Sequence, residues 1–252
     1  MMRIGGVPSH IFHLAGGSSV SAAIANPRED FARTVATTAE LLEWMRLESS
    51  SSKLIAVSSA AVYGTGHAGP IREDQALLPF SPYGYHKLMM EHLCQSYGVN
   101  YGVQATVVRL FSVYGSHLKK QLLWDMCSRL AAGTEPLELG GTGEELRDWT
   151  DIRDVVRALE LTMGLPFGEM PIVNAGSGQA TSVAKIADLV AKSWPASVKV
   201  VFNGKSRPGD PFSLVADDAL LRSLGFEWSI PVHTGIDDYV QWYLAHVRSA
   251  VE

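Results

Sequence analysis

Three short apolar segments alternate with helical patterns, and this alternation constrains the fold more than any other feature. The segments are residues 11–15, 54–57 and 105–110, each nearly continuous in hydrophobicity, which is typical of strands that helices cover on both faces. An apolar stripe at helical spacing runs over residues 31–45, and a second helical pattern covers residues 82–97. The order strand, helix, strand, helix, strand predicts an α/β protein with a parallel, doubly wound sheet and right-handed crossovers.

The later half of the chain is less regular. A helix is predicted near residues 121–132, followed by a glycine-rich turn at 140–143 and a helix from Asp154. The remaining patterns predict strands at 171–174 and 198–202 and helices at 182–193 and 234–247. No internal repeat or long Pro/Gly/Ser linker separates the two halves, so we expect them to share an interface that holds the site.

Composition argues against several function classes. The formal charge of −5 and the pI near 5.9 give no basic patch, so no nucleic-acid partner is expected. No apolar stretch reaches membrane-spanning length and no secretion signal is evident, which favours a cytoplasmic protein without membrane contact. Cys94 and Cys127 lie in helical patterns without metal-ligand spacing, so we expect two buried small hydrophobes, no disulfide and no metal site.

The segment Ser81-Pro82-Tyr83-Gly84-Tyr85-His86-Lys87 is the most informative chemically. Ser81 suits a helix N-cap and Pro82 the first helical position, which places Tyr83 in the first turn and Lys87 one turn later on the same face. The pKa of a free tyrosine is about 10, and a nearby ammonium and the positive end of a helix both favour the phenolate. The pattern indicates a tyrosine general acid/base, although any helix can carry Tyr-x-x-x-Lys by chance.

A second segment, Ser58-Ser59-Ala60-Ala61-Val62-Tyr63-Gly64, follows the strand at 54–57 directly. Ligands of open α/β sheets bind at the carboxyl ends of the strands. A hydroxyl at that position can hydrogen-bond a substrate oxygen while the tyrosine moves a proton. Taken alone, the segment is equally typical of a serine-rich turn that ends a strand.

Together with Glu73, these two segments resemble the active-site signature of the nucleotide-diphosphate-sugar 4-epimerases and their relatives among the extended short-chain dehydrogenases. The resemblance spans nearly the whole chain in the family's order, through residues 13–16, 109–115, 141–148, 174–178, 207–210, 216–217 and 224–225. It implies a partial Rossmann-type doubly wound parallel sheet. Residues 1–115 would form a truncated dinucleotide-binding part, and residues 116–252 mainly a smaller α/β substrate-binding part, with segments near 150–178 returning to the Rossmann part.

The resemblance also implies roles for individual residues. Ser59 would polarise the substrate, Tyr83 would act as acid/base, and Lys87 would be its partner and touch the nicotinamide ribose. Cofactor contacts are expected from Ala15, Gly16, Ser58, Tyr83, Lys87 and Phe111, and substrate contacts from Ser59, Ser112, Arg147 and Arg207.

The two arginines match family arginines that grip the substrate diphosphate, a task that suits a planar guanidinium. Two residues depart from the family pattern. Ser112 stands where an asparagine commonly contacts the substrate phosphate, and Thr34 stands where the family often has an asparagine. Residues 122–124 lie where nucleotide-base contacts would fall, although packing of an apolar helix face into the core is the alternative.

The implied activity is NAD-dependent epimerisation of a nucleotide-diphosphate sugar through transient oxidation to a keto-sugar. Ala60 and Ala61 favour it over dehydration, because the dehydratase branch carries an acidic pair in this turn and two methyl groups perform no acid/base chemistry. Two alternatives stay open: an inactive homologue that binds a sugar nucleotide or a partner subunit, and a short-chain reductase of another carbonyl. Arg147 and Arg207 argue against the reductase.

One expected element has no counterpart in the sequence. A dinucleotide-binding half begins with a strand, a glycine-rich turn and a helix that holds the pyrophosphate, and no G-x-x-G-x-x-G precedes Ile11. On the order of 60 to 70 residues would be missing, at about 30 per βα unit. The strand at 11–15 would then become an open sheet edge. Either a partner chain covers this edge, or the fold is damaged, or the sequence is that of a shortened gene product. NAD remains the expected cofactor, with binding by this chain in question.

The resemblance further implies a homodimer. Family members often pair through the helices that span about residues 28–47 and 82–97 here. Both helices are amphipathic in this sequence.

Overall fold

A four-stranded parallel sheet forms the larger half of the molecule. The structure is a computed structural model, and it describes residues 6–166, 170–205 and 211–246. The strands are β1 (His10–His13), β2 (Lys53–Ser59), β3 (Gln104–Leu110) and, after three further strands along the chain, β7 (Ile172–Ala175), in the spatial order β1-β2-β3-β7. Each neighbouring pair runs parallel, which confirms the predicted doubly wound α/β sheet.

Helices cover this sheet on both faces. On one face lie α2 (Pro27–Phe31), α3 (Thr37–Glu48) and α4 (Pro82–Tyr101), preceded by the short α1 (Val20–Ala25). A π-helical turn, Ala32–Ala36, joins α2 to α3. The core on this face brings Leu42 and Met45 of α3 against Leu54 of β2 and Met90 of α4. The opposite face is covered by α6 (Ile152–Thr162) and α8 (Ala219–Ser223).

The helix α4 begins where its sequence predicts and ends four residues later than predicted, at Tyr101. Ser81 accepts a hydrogen bond from the Gly84 amide at 3.2 Å, and Pro82 occupies the first turn. Gly102 ends the helix in the left-handed conformation, at φ 73°, which glycine adopts without steric cost. The N-terminus of α4 is thereby fixed next to the end of β2.

The outer strand β1 pairs only with β2 among the residues that the structure describes. Phe12 is 38% exposed and Leu14, just after the strand, is exposed as well. The expectation of an open edge at residues 11–15 is therefore confirmed for the described part of the chain.

The remaining strands form smaller sheets beside the first. They are β4 (Ser112–Tyr114), β5 (Leu137–Leu139), β6 (Leu146–Asp151), β8 (Ala180–Ser182), β9 (Val200–Phe202) and β10 (Ser213–Leu214). One sheet has the order β10-β6-β4 with β8 antiparallel to β6, and β5 pairs with β9. A second core packs them against α5 (Gln121–Ala131), α7 (Val183–Ser193) and α9 (Val232–His246).

Most of the predicted elements are present with ends shifted by a few residues, but the strands β4, β5, β6, β8 and β10 were not predicted. Each is short, and β6 reads Leu-Arg-Asp-Trp-Thr-Asp, which lacks the apolar alternation that marks a strand in sequence. These segments form strands because other segments of the chain pair with them in the folded protein. Cys94 and Cys127 are free and buried, as expected, and burial raises the pKa of each thiol to about 12.

No helix within the described ranges is long and apolar enough to cross a membrane. Within the same ranges, no group of three or more His, Cys, Asp or Glu side chains is placed to hold a metal ion.

Candidate active site

The end of β2 and the start of α4 meet at one point. Ser59, the last residue of β2, caps the short 3-10 turn Ala60–Val62 by accepting a hydrogen bond from the Ala61 amide at 3.2 Å. The first turn of α4 packs directly on that turn, because a Cβ added at Gly84 would lie 2.6 Å from the Ala61 carbonyl oxygen. This close approach brings Tyr83 beside Ser59.

Tyr83 and Lys87 lie on the same face of α4, as their spacing predicts. The Lys87 ammonium lies 5.9 Å from the centre of the Tyr83 ring and donates a hydrogen bond to the Val57 carbonyl at 2.9 Å. Lys87 is buried, whereas Tyr83 is half-buried. A buried ammonium anchored to the backbone of β2 therefore lies behind a phenol that reaches the protein surface.

The electrostatics of the pair differ from the sequence-based expectation. Burial lowers the pKa of Lys87 from 10.5 to about 8, and Asp30 and Glu91 oppose this effect. Burial raises the pKa of Tyr83, hydrogen bonding with Ser59 lowers it, and the charge of Asp30 raises it. The net result is a raised pKa of Tyr83, because desolvation of the phenolate outweighs the hydrogen bond with Ser59.

Ser58 belongs to the support of the site. Its hydroxyl donates to Glu91 Oε1 at 2.5 Å, and the same carboxylate accepts hydrogen bonds from Arg109 Nε at 3.0 Å and Nη2 at 2.7 Å. Arg109 Nη1 also donates to the Tyr63 hydroxyl at 2.8 Å. This buried network joins α4 to the carboxyl ends of β2 and β3.

A cavity of about 400 Å³ opens in front of Tyr83. Four of the residues expected at the site line it: Ser59, Tyr83, Phe111 and Arg147. The described residues in its wall that the sequence did not single out as cavity-lining are Ser18, Ser19, Val20, Ser21, Ile24, Ala60, Ala61, Phe80, Gln121, Pro211 and Leu214. None of these described residues carries a carboxylate, so acid/base chemistry in the cavity falls to Tyr83 and its neighbours.

A second cavity, of about 850 Å³, adjoins the first and shares Ser21, Gln121 and Arg147 with it. Arg147 stands at the junction, where its Nη1 donates to the Leu146 carbonyl at 2.8 Å and, more weakly, to the Phe212 carbonyl at 3.4 Å. The two cavities share a guanidinium in their walls, an arrangement suited to a ligand of two parts joined by an anionic group.

Other expected site residues lie outside the cavity wall. Ser112 is in β4, opposite Trp149 of β6. Ala15 is exposed after β1, and Gly16 lies over the lysine, since a Cβ there would be 3.4 Å from Lys87 Nζ. Arg207 lies outside the described residues.

Two positions that the sequence left open now have described contacts. Thr34 is buried, and its hydroxyl accepts a hydrogen bond from the Gly17 amide at 2.8 Å. In the segment 122–124, Leu123 is buried in the core, whereas Leu122 also lines the second cavity. This turn of helix therefore contributes both to the core and to the cavity wall.

The segment Gly17-Ser18-Ser19, directly after the expected cofactor contact Gly16, is the part of the site that sequence reasoning missed. It follows β1 at the carboxyl edge of the sheet, and its two serines line the cavity. The rule that ligands bind at this edge could have found it. Phe80, Gln121 and Leu214 offered no comparable signal, because only the fold brings them to the cavity.

Comparison with known proteins identifies the family. The model of the NAD dependent epimerase/dehydratase family matches residues 5–176, more than half of the chain. The chain belongs to this family. Among curated family relatives, a UDP-glucose 4-epimerase of Azospirillum brasilense is 30% identical over 95% of this chain and 73% of its own length. An uncharacterised UDP-glucose epimerase of Bacillus subtilis is 30% identical over 85% of this chain and 67% of its own length.

Solved structures of the epimerase/dehydratase family share the fold. MoeE5 in complex with UDP-glucuronic acid and NAD aligns with a TM-score of 0.85 and 30% identity, over 95% of this chain and 80% of that one. A UDP-glucuronic acid 4-epimerase from Bacillus cereus, in complex with UDP-glucuronic acid and NAD, aligns with a TM-score of 0.85 and 25% identity. It covers 94% of this chain, which in turn covers 76% of it.

Proposed function

We propose that this chain is an NAD-dependent epimerase of a nucleotide-diphosphate sugar, acting at carbon 4 of a UDP-sugar. The observation that carries the proposal is the meeting of Ser59, Tyr83 and Lys87 at the end of β2, beside a cavity whose described wall holds no carboxylate. Epimerisation by oxidation and re-reduction needs one group to move a proton. Elimination of water needs further acid/base groups, which this wall does not offer.

The residues divide the work as follows. Tyr83 takes the proton of the sugar hydroxyl as the carbon is oxidised and returns it when the carbon is reduced again. Ser59 hydrogen-bonds the same sugar oxygen and holds it against Tyr83. The charged form of Lys87 favours the phenolate that Tyr83 becomes at this step. NAD, held beside Tyr83 and Lys87, would supply the reversible hydride transfer that the oxidation and re-reduction require.

Arg147 is the proposed contact for the substrate diphosphate. It stands between the two cavities, so the sugar would occupy the space at Tyr83 and the nucleoside the space lined by Leu122. Arg207 and Ser112 are proposed as further substrate contacts on the family resemblance alone.

The residues present fit one end of NAD. Tyr83 and Lys87 are the proposed contacts of the nicotinamide ribose, supported by Gly16 next to Lys87 and Phe111 in the same cavity wall as Tyr83; Ala15 is proposed as a further cofactor contact. The described residues show no G-x-x-G-x-x-G turn from strand to helix that would hold the pyrophosphate. Binding of NAD is for this reason tested separately from turnover.

An epimerase assay with added NAD⁺ tests the function. Interconversion of UDP-glucose and UDP-galactose is expected, with a loss of kcat on the order of 10²- to 10⁴-fold in Tyr83→Phe. Tyr85→Phe is the matched control, since this tyrosine is two positions away and 51% exposed. Turnover in Tyr83→Phe equal to that of the control would refute the assignment.

Calorimetric titration of NAD⁺ distinguishes the enzyme from a non-catalytic homologue that binds a sugar nucleotide. The lack of a described turn for the pyrophosphate favours that homologue. Micromolar binding supports the enzyme. The chain is a non-catalytic homologue if it binds a UDP-sugar, does not bind NAD⁺ at concentrations up to millimolar, and forms no product.

We further propose a cytoplasmic homodimer that serves polysaccharide precursor synthesis, the family's common setting. Tyr85 and Met89 lie one turn apart on the outer side of α4 and are 51% and 43% exposed, and Leu47 is exposed near the end of α3. Helix pairing would bury these side chains. Light scattering at micromolar concentration should give a dimer, and Met89→Glu should shift it toward monomer. A wild-type monomer would contradict the proposal.

A further inference from the structure

A buried contact between a carboxylate and an imidazole joins the helix α2 to the helix that carries Tyr83 and Lys87. Asp30 Oδ2 lies 2.5 Å from His86 Nδ1, and both side chains are almost fully buried. The two residues are 56 positions apart in the chain. His86 directly precedes Lys87 on α4, and Phe31 packs edge-on against the His86 ring at 5.5 Å. The pair therefore fixes α2 beside the proposed acid/base residues.

The other oxygen of Asp30 lies against the loop that borders the cavity. A Cβ added at Gly17 would lie 1.8 Å from Asp30 Oδ1, so the carboxylate occupies the space that only glycine leaves open there. The neighbouring Gly16 approaches Lys87 Nζ, with 3.4 Å left for a Cβ. Asp30 and Lys87 thus flank the Gly16-Gly17 dipeptide, which leads into the cavity-lining Ser18 and Ser19.

The charges around Lys87 single out Asp30. Within the described ranges, the charged or titratable groups that face it are Tyr83 and Glu91 on α4, Asp30 on α2 and His13 on β1. The charge of Lys87 lowers the pKa of His13, in addition to the larger effect of burial. The carboxylate of Glu91 already accepts two hydrogen bonds from Arg109, which compensate its charge. Asp30 raises the pKa of Lys87 more than Glu91 does.

We propose that Asp30 is a positioning residue of this site: its carboxylate, held by His86, supports the loop at residues 16–19 and is the principal counter-charge of the buried Lys87 ammonium. The inference rests on the proposed role of Lys87 in the epimerase reaction. Removal of the carboxylate would leave an ammonium in a desolvated site with less compensation, and Lys87 would then lose its proton at a lower pH.

The titration of Lys87 in the ligand-free chain tests this directly. NMR of the ¹³Cε resonances of ¹³C-labelled lysine gives the midpoint, and Lys87→Arg identifies the signal. Asp30→Asn keeps the shape and removes the charge, so its midpoint is expected below that of wild type. Asp30→Ser serves the same purpose with a smaller side chain if the asparagine variant does not fold. Because no cofactor or substrate is added, the result is independent of whether the chain is an epimerase.

Two comparators separate the electrostatic role from a structural one. His86→Gln removes the imidazole but keeps a donor and the carboxylate, so its midpoint is expected at or above that of wild type even if the variant melts earlier. Glu29→Gln removes an exposed carboxylate one position away, paired with Arg33 on the surface, and is expected to leave the midpoint unchanged. An Asp30 variant with the same midpoint as Glu29→Gln would overturn the proposal.

Discussion

Two buried carboxylates lie at the helix α4, one on it and one packed against it, and they are held in different ways. Glu91 accepts two hydrogen bonds from Arg109 and one from Ser58. Asp30 faces one imidazole, that of His86, and the backbone of a glycine. The first carboxylate is compensated by Arg109 and Ser58, whereas the second lies against the loop that borders the cavity. The comparison indicates that one side of α4 serves stability and the other side serves the site.

The Glu91 side extends through several elements. The Tyr63 hydroxyl accepts from Arg109 and donates to Asn174 Oδ1 at 2.7 Å, and Asn174 lies in β7. Glu73 Oε1 accepts a hydrogen bond from the Asn174 amide at 2.9 Å. The loop after β2 is thereby joined to the carboxyl ends of β3 and β7. Arg109 and Asn174, which belong to segments that resemble the family, are structural connectors here.

The largest expected effect comes from breaking the Glu91 side. Arg109→Met leaves Glu91 buried without its cation, and a broken buried ion pair costs about 3–5 kcal/mol. Urea unfolding followed by circular dichroism measures the loss. The double variant Arg109→Met/Glu91→Gln removes both charges and should recover part of it. A single variant as stable as the double one would contradict the account of this network.

Lys87, between the two carboxylates, predicts a pH dependence of stability. Burial lowers its pKa from 10.5 to about 8, so the folded chain gives up this proton at a lower pH than the unfolded chain. The unfolded state binds more protons between those values, and the contribution of Lys87 to stability rises with pH across that window.

The unfolding free energies of wild type and Lys87→Met are measured from pH 7 to 10.5. Over this range the difference between them should change by about 3 kcal/mol in favour of wild type. The methionine variant is the control for all other groups that titrate in this range. Parallel curves for the two proteins would show that Lys87 titrates normally.

The contact of α4 with the Ser59 turn predicts a smaller effect. Gly84→Ala places a methyl group 2.6 Å from the Ala61 carbonyl oxygen, and overpacking of this kind costs about 1–3 kcal/mol. Gly98 is the matched control within the same helix, since a Cβ there meets only the Val103 carbonyl at 3.4 Å. Gly98→Ala is expected to be neutral or to stabilise by about 0.5–1 kcal/mol. Thermal unfolding of both variants measures the contrast, and equal changes would refute it.

The smallest effects sharpen the comparison between the two sides. Tyr63→Phe removes a hydroxyl that bonds both Arg109 and Asn174, which costs about 1–3 kcal/mol. Thr34→Val, on the Asp30 side, removes only the acceptor of the Gly17 amide, which costs about 0.5–1.5 kcal/mol. Denaturant midpoints should rank wild type above Thr34→Val and Thr34→Val above Tyr63→Phe. The reverse order would mean that the Asp30 side carries more of the stability.

The sequence by itself determined the parallel sheet, the position of α4 and the spacing of Tyr83 and Lys87. These features depend on local patterns: continuous apolar runs predict buried strands, and Ser81 with Pro82 predicts a helix start. The family motifs are likewise short stretches of consecutive residues, which can be recognised in the sequence. Polar short strands such as β6 escaped prediction, since pairing with distant segments stabilises them in place of an internal pattern.

Only the tertiary structure decided the electrostatics of the site. The spacing of Tyr83 and Lys87 gave no measure of desolvation, so the raised pKa of Tyr83 was not foreseen. The pairing of Asp30 with His86 across 56 positions, and the cavity wall assembled from distant loops, depend on how helices and strands pack. Local spacing is written in the chain, whereas burial and long-range charge pairs exist only after the chain has folded.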